Sequence, residues 1–274
     1  MERLKDKVAV ITGAGSGIGR AAAVLMSREG ARVVVADRSS DGAEETAGLV
    51  EAAGGRALPL TVDVTEEDSV AGMVAAAVTE FGALHVLCNH VGGTDPRKDL
   101  DLLRMDMDEF DRAVALNMRS TLLGARHAVP HMIRAGGGSV INTASVAALV
   151  GDVLQTSYGA VKAAVVSITK SIAVQYGPQR VRCNAVAPGA VVTPGPGEQP
   201  ARRGRHLAEE GQRPPVPGLA RGHRPHHGLP RLRRVPLPHR PTPRRRRRDE
   251  HAVLRRTGAP RHASPIAGRR GAAG

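Results

Sequence analysis

Aromatic side chains are scarce in this 274-residue sequence: two tyrosines, two phenylalanines and no tryptophan, with none of them after Tyr176. The C-terminal third therefore has no platform on which nucleic-acid bases could stack. Cysteine is equally scarce. Cys88 and Cys183 sit inside apolar runs and read as buried small hydrophobes rather than a disulfide, which suits a reducing cytoplasm. Long apolar runs are missing. The N-terminus Met-Glu-Arg-Leu-Lys-Asp-Lys is charged and the apolar run behind it is only strand-length, so neither a signal peptide nor a membrane span is expected. No metal site is expected either: His90, His127 and His131 lack both a partner carboxylate and metal-ligand spacing.

What is present divides in two. Residues 1–194 carry 19 Lys and Arg against 21 Asp and Glu, while the remaining 80 carry 20 Arg, no Lys and five acids. The net charge of +13 thus belongs to the tail, as do 13 of the 19 prolines. Only the tail argues for an acidic partner.

Residues 1–194 alternate short apolar runs with amphipathic stretches. Strands are expected at Val8–Thr12, Val33–Asp37, Ala57–Asp63, Val86–Asn89, Ser139–Ser145 and Val181–Val186. Most are rich in Val and Ile and apolar on both faces, as in a covered parallel sheet. Helices are expected at Ile18–Glu29, Glu66–Phe81, Phe110–Ile133 and Tyr158–Tyr176, with Gly30, Gly82, Gly136 and Gly177-Pro178 as stops. The repeated β-α units predict an α/β doubly wound parallel sheet, a Rossmann fold.

The first strand runs into Thr12-Gly13-Ala14-Gly15-Ser16-Gly17-Ile18-Gly19, and a helix follows. Glycines let the backbone turn tightly and approach a pyrophosphate seated on the positive end of the helix. The strand-loop-helix context is what gives the motif weight. The second strand ends at Asp37, roughly 20 residues on, where an acid accepts the ribose hydroxyls. A carboxylate there repels the extra phosphate of NADP and favours NAD(H), although Arg38 beside it could accommodate that phosphate.

Tyr158 and Lys162 are spaced i, i+4 near the start of a predicted helix and share one face. A neighbouring ammonium stabilises a phenolate, which suits the tyrosine to general acid/base work. Ser145 ends the preceding strand, where its hydroxyl can hydrogen-bond a substrate oxygen. Tyr176 is the only other tyrosine.

These motifs together resemble the short-chain dehydrogenase/reductase family over residues 5–194. The glycine loop, including Gly13, Ser16, Gly17, Ile18 and Gly19, resembles the family's Thr-Gly-x-x-x-Gly-x-Gly. The resemblance implies adenine contacts from Asp63 and Val64 and a cofactor-site turn at Asn89-His90-Val91-Gly92, which departs from the family's Asn-Asn-Ala-Gly at His90 and Val91. It implies nicotinamide contacts from Pro188, Gly189, Val191 and Thr193. Asn117 falls where the family keeps an Asn that holds a proton-relay water. Ser145, Tyr158 and Lys162 match the catalytic set, and Lys162 by the same resemblance also binds the nicotinamide ribose. The implied activity is NAD(H)-dependent hydride transfer between a secondary alcohol and a ketone.

The tail departs from the family, which continues with a substrate-covering helix pair, another helix and a seventh strand near Val-Asp-Gly-Gly. Residues 195–274 read instead as an irregular, disordered Arg/Pro-rich segment beyond a catalytic domain at 1–194. Shifted by one base, its codons restore the family's pattern in order. Arg221 to Pro225 permits Glu-Asp-Ile-Ala, Leu229 to Val235 permits Phe-Leu-Ala-Ser-Asp-Ala, and Arg244–Arg248 with Asp249-Glu250 permits Val-Val-Asp-Gly-Gly. A frame change between about Pro194 and Val216 is expected, with loss of core burial worth several kcal/mol. The in-frame parent would then be a homo-tetramer or dimer, which the family builds partly through the missing end. Two other functions remain open. One is a dinucleotide-binding chain impaired in catalysis. The other is nucleic-acid binding through the Arg244–Arg248 run, against which the missing aromatics and missing binding domain argue.

Overall fold

A computed structural model describes residues 2–191 and Thr193. Six strands, β1 (Val8–Thr12), β2 (Arg32–Asp37), β3 (Arg56–Thr61), β4 (Val86–Asn89), β5 (Gly138–Thr143) and β6 (Val181–Val186), form one sheet in the order β3-β2-β1-β4-β5-β6. Every neighbouring pair is parallel. The chain winds outward from β1 to β3, then crosses back to lay β4 against the other side of β1. That reversal opens a crevice at the carboxyl ends of β1 and β4, where α/β sheets take their ligands.

The helices are α1 (Gly17–Arg28), α2 (Ser40–Ala52), α3 (Glu67–Phe81), α4 (Met107–Ala113), α5 (Ser120–Arg134) and α6 (Thr156–Tyr176). Alternate residues of the central strands feed two cores. Val8, Val10, Val34 and Leu87 pack with Val70 and Val74 of α3, Leu123 and Met132 of α5 and Ile172 of α6. Ala9, Ile11, Val33 and Val35 pack with Ala23 of α1 and Val50 of α2. Cys88 and Cys183 are buried and unpaired, and burial pushes their thiols up to about 12 and about 11.

Several expectations need correction. β5 ends at Thr143 and β3 at Thr61, so Ser145 and Asp63 lie in turns beyond their strands. β6 is covered only at Val181 and Cys183, while Arg182, Asn184, Ala185 and Val186 are exposed. Helix α2 was not expected; its buried stripe is the small set Ala43, Thr46, Ala47 and Val50, and Ser39 Oγ caps it by accepting from Gly42 N at 3.2 Å. The single helix expected over Phe110–Ile133 runs from Met107 to Arg134 and is interrupted by a π-helical segment, Val114–Arg119. The irregular tail expected at 195–274, with its shifted frame, lies outside the described residues. No helix among the described residues is long and apolar enough to cross a membrane.

Candidate active site

A cleft of about 910 Å³ opens at the switch point between β1 and β4. Its floor at one end is the glycine loop. A Cβ on Gly19 would sit on the Gly13 carbonyl oxygen and 3.0 Å from Ala14 Cα, so only glycine allows α1 to start this close to β1. Ser16 supplies no side-chain cap to α1. The start of a helix is the end that favours an anion. Asp37 leans over this loop, with Oδ2 accepting from Gly15 N at 2.8 Å and Oδ1 from Ser39 N at 3.0 Å. Arg38 also lines the cleft. Thr193 lies against the opposite side of the loop, with its Cβ 3.4 Å from where a side chain on Gly17 would begin.

The next stretch of wall is the turn after β3. Asp63 Oδ1 accepts from Thr65 N at 2.9 Å and from Thr65 Oγ at 2.7 Å. Those bonds hold its carboxyl below the usual carboxylate range. Across from it, one face of α4 and the π segment presents Arg112, Ala115, Leu116 and Arg119 to the cleft. Arg119 ties the two walls by donating to the Thr65 carbonyl at 2.8 Å.

The far end brings together Ser145, Tyr158, Lys162, Pro188 and Gly189. Ser145 caps a 3₁₀ turn, Val146–Ala148, with its hydroxyl oxygen accepting from Ala147 N at 3.2 Å. The ammonium of Lys162 lies 5.5 Å from the centre of the Tyr158 ring and donates to the Thr143 carbonyl at 2.8 Å. Lys162 is 2% exposed, and that burial pulls it down to about 8. His90 is held by Thr143 Oγ at 2.6 Å. Burial, with the Lys162 charge nearby, holds His90 below its usual value.

Asn117 does not line the cleft; it stands behind it. Its amide pairs reciprocally with Gly93, accepting from Gly93 N at 2.9 Å and donating to Gly93 O at 3.0 Å. Asn117 Oδ1 and Lys162 Nζ each lie 2.6 Å from the point a Gly92 side chain would occupy, so Gly92 is what lets these two groups approach. The π segment has its own support. Thr121 Oγ donates to the Asn117 carbonyl at 2.8 Å and Ser120 Oγ to the Leu116 carbonyl at 2.6 Å, satisfying carbonyls where the i→i−4 ladder is broken.

Asn89 is likewise outside the cleft. Its side chain donates to Asn142 Oδ1 at 2.9 Å, buried between β4 and β5. His127 has a carboxylate neighbour after all: Nε2 lies 3.3 Å from Glu67 Oε1, a pair formed between α3 and α5. Arg112, Leu116 and Arg119 were missed as cleft residues. Their i, i+4, i+7 spacing was the available signal, obscured because two are arginines that read as solvated charges.

A family model for short chain dehydrogenase matches residues 7–203. The chain belongs to the short-chain dehydrogenase family. Curated relatives include a 7alpha-hydroxysteroid dehydrogenase of Bacteroides fragilis, 40% identical over 194 residues, 71% of this chain and 75% of that protein. Another is a cis-4-hydroxycyclohexanecarboxylate dehydrogenase of Sinomonas cyclohexanicum, 41% identical over 193 residues, 70% and 76% of the two chains. A solved 7 alpha-hydroxysteroid dehydrogenase complexed with NADH and 7-oxo glycochenodeoxycholic acid superposes with a TM-score of 0.67 at 35% identity, covering 70% of this chain and 73% of that one. Short-chain dehydrogenases are oxidoreductases of alcohols and ketones that bind a nicotinamide dinucleotide. The residues present fit such a cofactor. The loop admits no side chain at Gly19, Ser16 makes no capping bond to α1, and the cleft is continuous from Asp37 to Tyr158.

Proposed function

We propose that this chain interconverts a secondary alcohol and a ketone using NAD(H), with Tyr158 as general acid/base. The observation that carries the reading is Lys162, a nearly fully buried ammonium 5.5 Å from the Tyr158 ring in the same cleft as Ser145 and the glycine loop. A bound nicotinamide supplies or takes the hydride. Tyr158 Oη gives or removes the proton at the substrate oxygen, which Ser145 Oγ orients. Lys162 Nζ, beside the Tyr158 ring, passes the proton onward through a water held near Asn117. The glycine loop from Gly13 to Gly19, with Ser16, Gly17 and Ile18, holds the pyrophosphate. Asp37 takes the adenosine ribose, and Asp63 and Val64 flank the adenine. Gly92, Pro188, Gly189, Val191 and Thr193 border the nicotinamide, and Asn89 supports that turn from behind. Asp37 at the end of β2 favours NAD(H) over NADP(H) by repelling a 2′-phosphate.

Leu149, Val150 and Val153, just past Ser145 in the chain, are all more than 60% exposed, and apolar side chains following the catalytic serine suit a ring-bearing or otherwise apolar alcohol or ketone. The test is titration with NADH and NADPH by fluorescence, then turnover of cyclic alcohols. Tighter NADH binding, and turnover abolished in Tyr158→Phe with NADH binding retained, is the expected result. Turnover surviving in Tyr158→Phe overturns the reading. Residues 195–274 we read as a frame-shifted C-terminus, supported by the ordered residues its shifted codons permit and by relatives that match only about 194 residues. Resequencing codons 194–250 tests this, and finding no frame that encodes Val-Asp-Gly-Gly at 244–249 overturns it.

A further inference from the structure

The N-terminal turn of α6, which carries Tyr158, is not capped by its own flanking residue. Gln155 occupies the N-cap position in a left-handed conformation, φ 61° and ψ 43°, and makes no side-chain capping bond. A helix beginning this way leaves its first amides without partners. Here four consecutive amides find them 56 to 59 residues earlier in the chain. Ser157 N donates to Asp99 Oδ1 at 2.8 Å and Tyr158 N to Asp99 Oδ2 at 3.0 Å. Gln155 N donates to the Asp99 carbonyl at 3.0 Å and Thr156 N to the Leu100 carbonyl at 3.3 Å. Thr156 Oγ adds a bond to the same Leu100 carbonyl at 3.1 Å. Asp99 is 0% exposed, so its carboxylate is given over to these amides and to the positive end of the helix.

The segment that carries Asp99 is itself anchored on the other side of the site. Gly93 is paired with Asn117. Asp95 N donates to Glu109 Oε1 at 2.7 Å, and Glu109 is gripped by both arms of Arg112 at 2.7 Å. Asp99 N returns to the Asp95 carbonyl at 2.9 Å. Residues 93–100 are therefore a strut between the π segment that holds Asn117 and the turn that holds Tyr158.

We infer that Asp99 is a positioning residue for the general acid/base, setting the placement of Tyr158 against Lys162 and Asn117 through the first turn of α6. The inference rests on the catalytic reading of Tyr158 above. It is tested with Asp99→Asn, which keeps the size of the side chain but replaces one accepting oxygen with a donor facing an N–H. Hydrogen exchange of the amides at 155–158 is expected to accelerate at least about tenfold while the later turns of α6 stay protected. The kcat is expected to fall about 10- to 100-fold, because small misplacements of a reacting group carry losses of that order. The KM for the alcohol and the affinity for NADH should stay within about twofold. Should Asp99→Asn not fold, Thr156→Val removes a single bond of the same clamp and should lower kcat about two- to fivefold with NADH affinity unchanged. Unchanged exchange at 155–158 overturns the inference, as does faster exchange with an unaltered kcat. Failure of the catalytic reading shows separately, as turnover that persists in Tyr158→Phe, and the exchange measurement does not depend on it.

Discussion

Replacing Lys162 with methionine should make the cofactor-free protein more stable at neutral pH, and the gain should disappear in alkali. The lysine is buried, and its value falls from 10.5 to about 8 through desolvation. Its folded value thus lies below its unfolded one. Between about pH 8 and 10.5 the unfolded chain holds more protons, so the stability contributed by this group rises with pH across that window. At pH 7 the buried charge costs about 3 kcal/mol relative to a neutral side chain. Methionine removes that cost and fills similar volume, but forfeits the bond to the Thr143 carbonyl, worth about 1 kcal/mol. The expected net gain is about 2 kcal/mol at pH 7. By pH 9.5 the penalty on the lysine has shrunk by about 2 kcal/mol, and the two proteins should be nearly equal. Urea unfolding of both at pH 7 and pH 9.5 measures this, and taking the difference between them cancels the other titrating groups. A variant less stable than the parent at pH 7, or a difference that does not change with pH, would refute the desolvation argument. The same variant should lose turnover, an instance of a site that trades stability for function.

Two other perturbations probe the frame around the site. Gly19→Ala places a methyl against the Gly13 carbonyl, and fluorescence titration should show NADH binding weakened roughly tenfold or more; unchanged affinity would mean that α1 and β1 can separate freely. Leu87→Ala, in the middle of β4 and 0% exposed, should lower unfolding stability by about 3 kcal/mol, and a loss below about 1 kcal/mol by urea titration would show that this core closes over the cavity.

The strands buried on both faces were legible from the sequence. β1 and β4 fall where their apolar runs stand, Val8–Thr12 and Val86–Asn89, because every residue in them is buried. The glycine loop was legible because steric demand concentrates glycines between a strand and a helix. Helix α2 was not, since Ala43 and Ala47 make a stripe too small to stand out from a polar loop. The π segment was not, because one extra residue per turn over Val114–Arg119 leaves the apolar pattern nearly helical. Asp99 escaped for a different reason. It carries its meaning in a contact with amides 58 and 59 residues away, and neither partner shows a side-chain signature. The Glu67–His127 pair was missed in the same way, its members standing on separate helices.

The clamp on α6 has a consequence for how the chain assembles. The partners of its first four amides are carried by the segment that follows β4. Local propensity alone cannot order that turn. It can close only once β4 and β5 lie side by side and the intervening strut has docked, a non-local step of the kind that slows folding. The residue proposed to do the chemistry is thus among the last to be placed. A partly folded chain could present a formed sheet and a bound dinucleotide yet hold no assembled proton donor, and on this account recovery of turnover during refolding should trail recovery of cofactor binding.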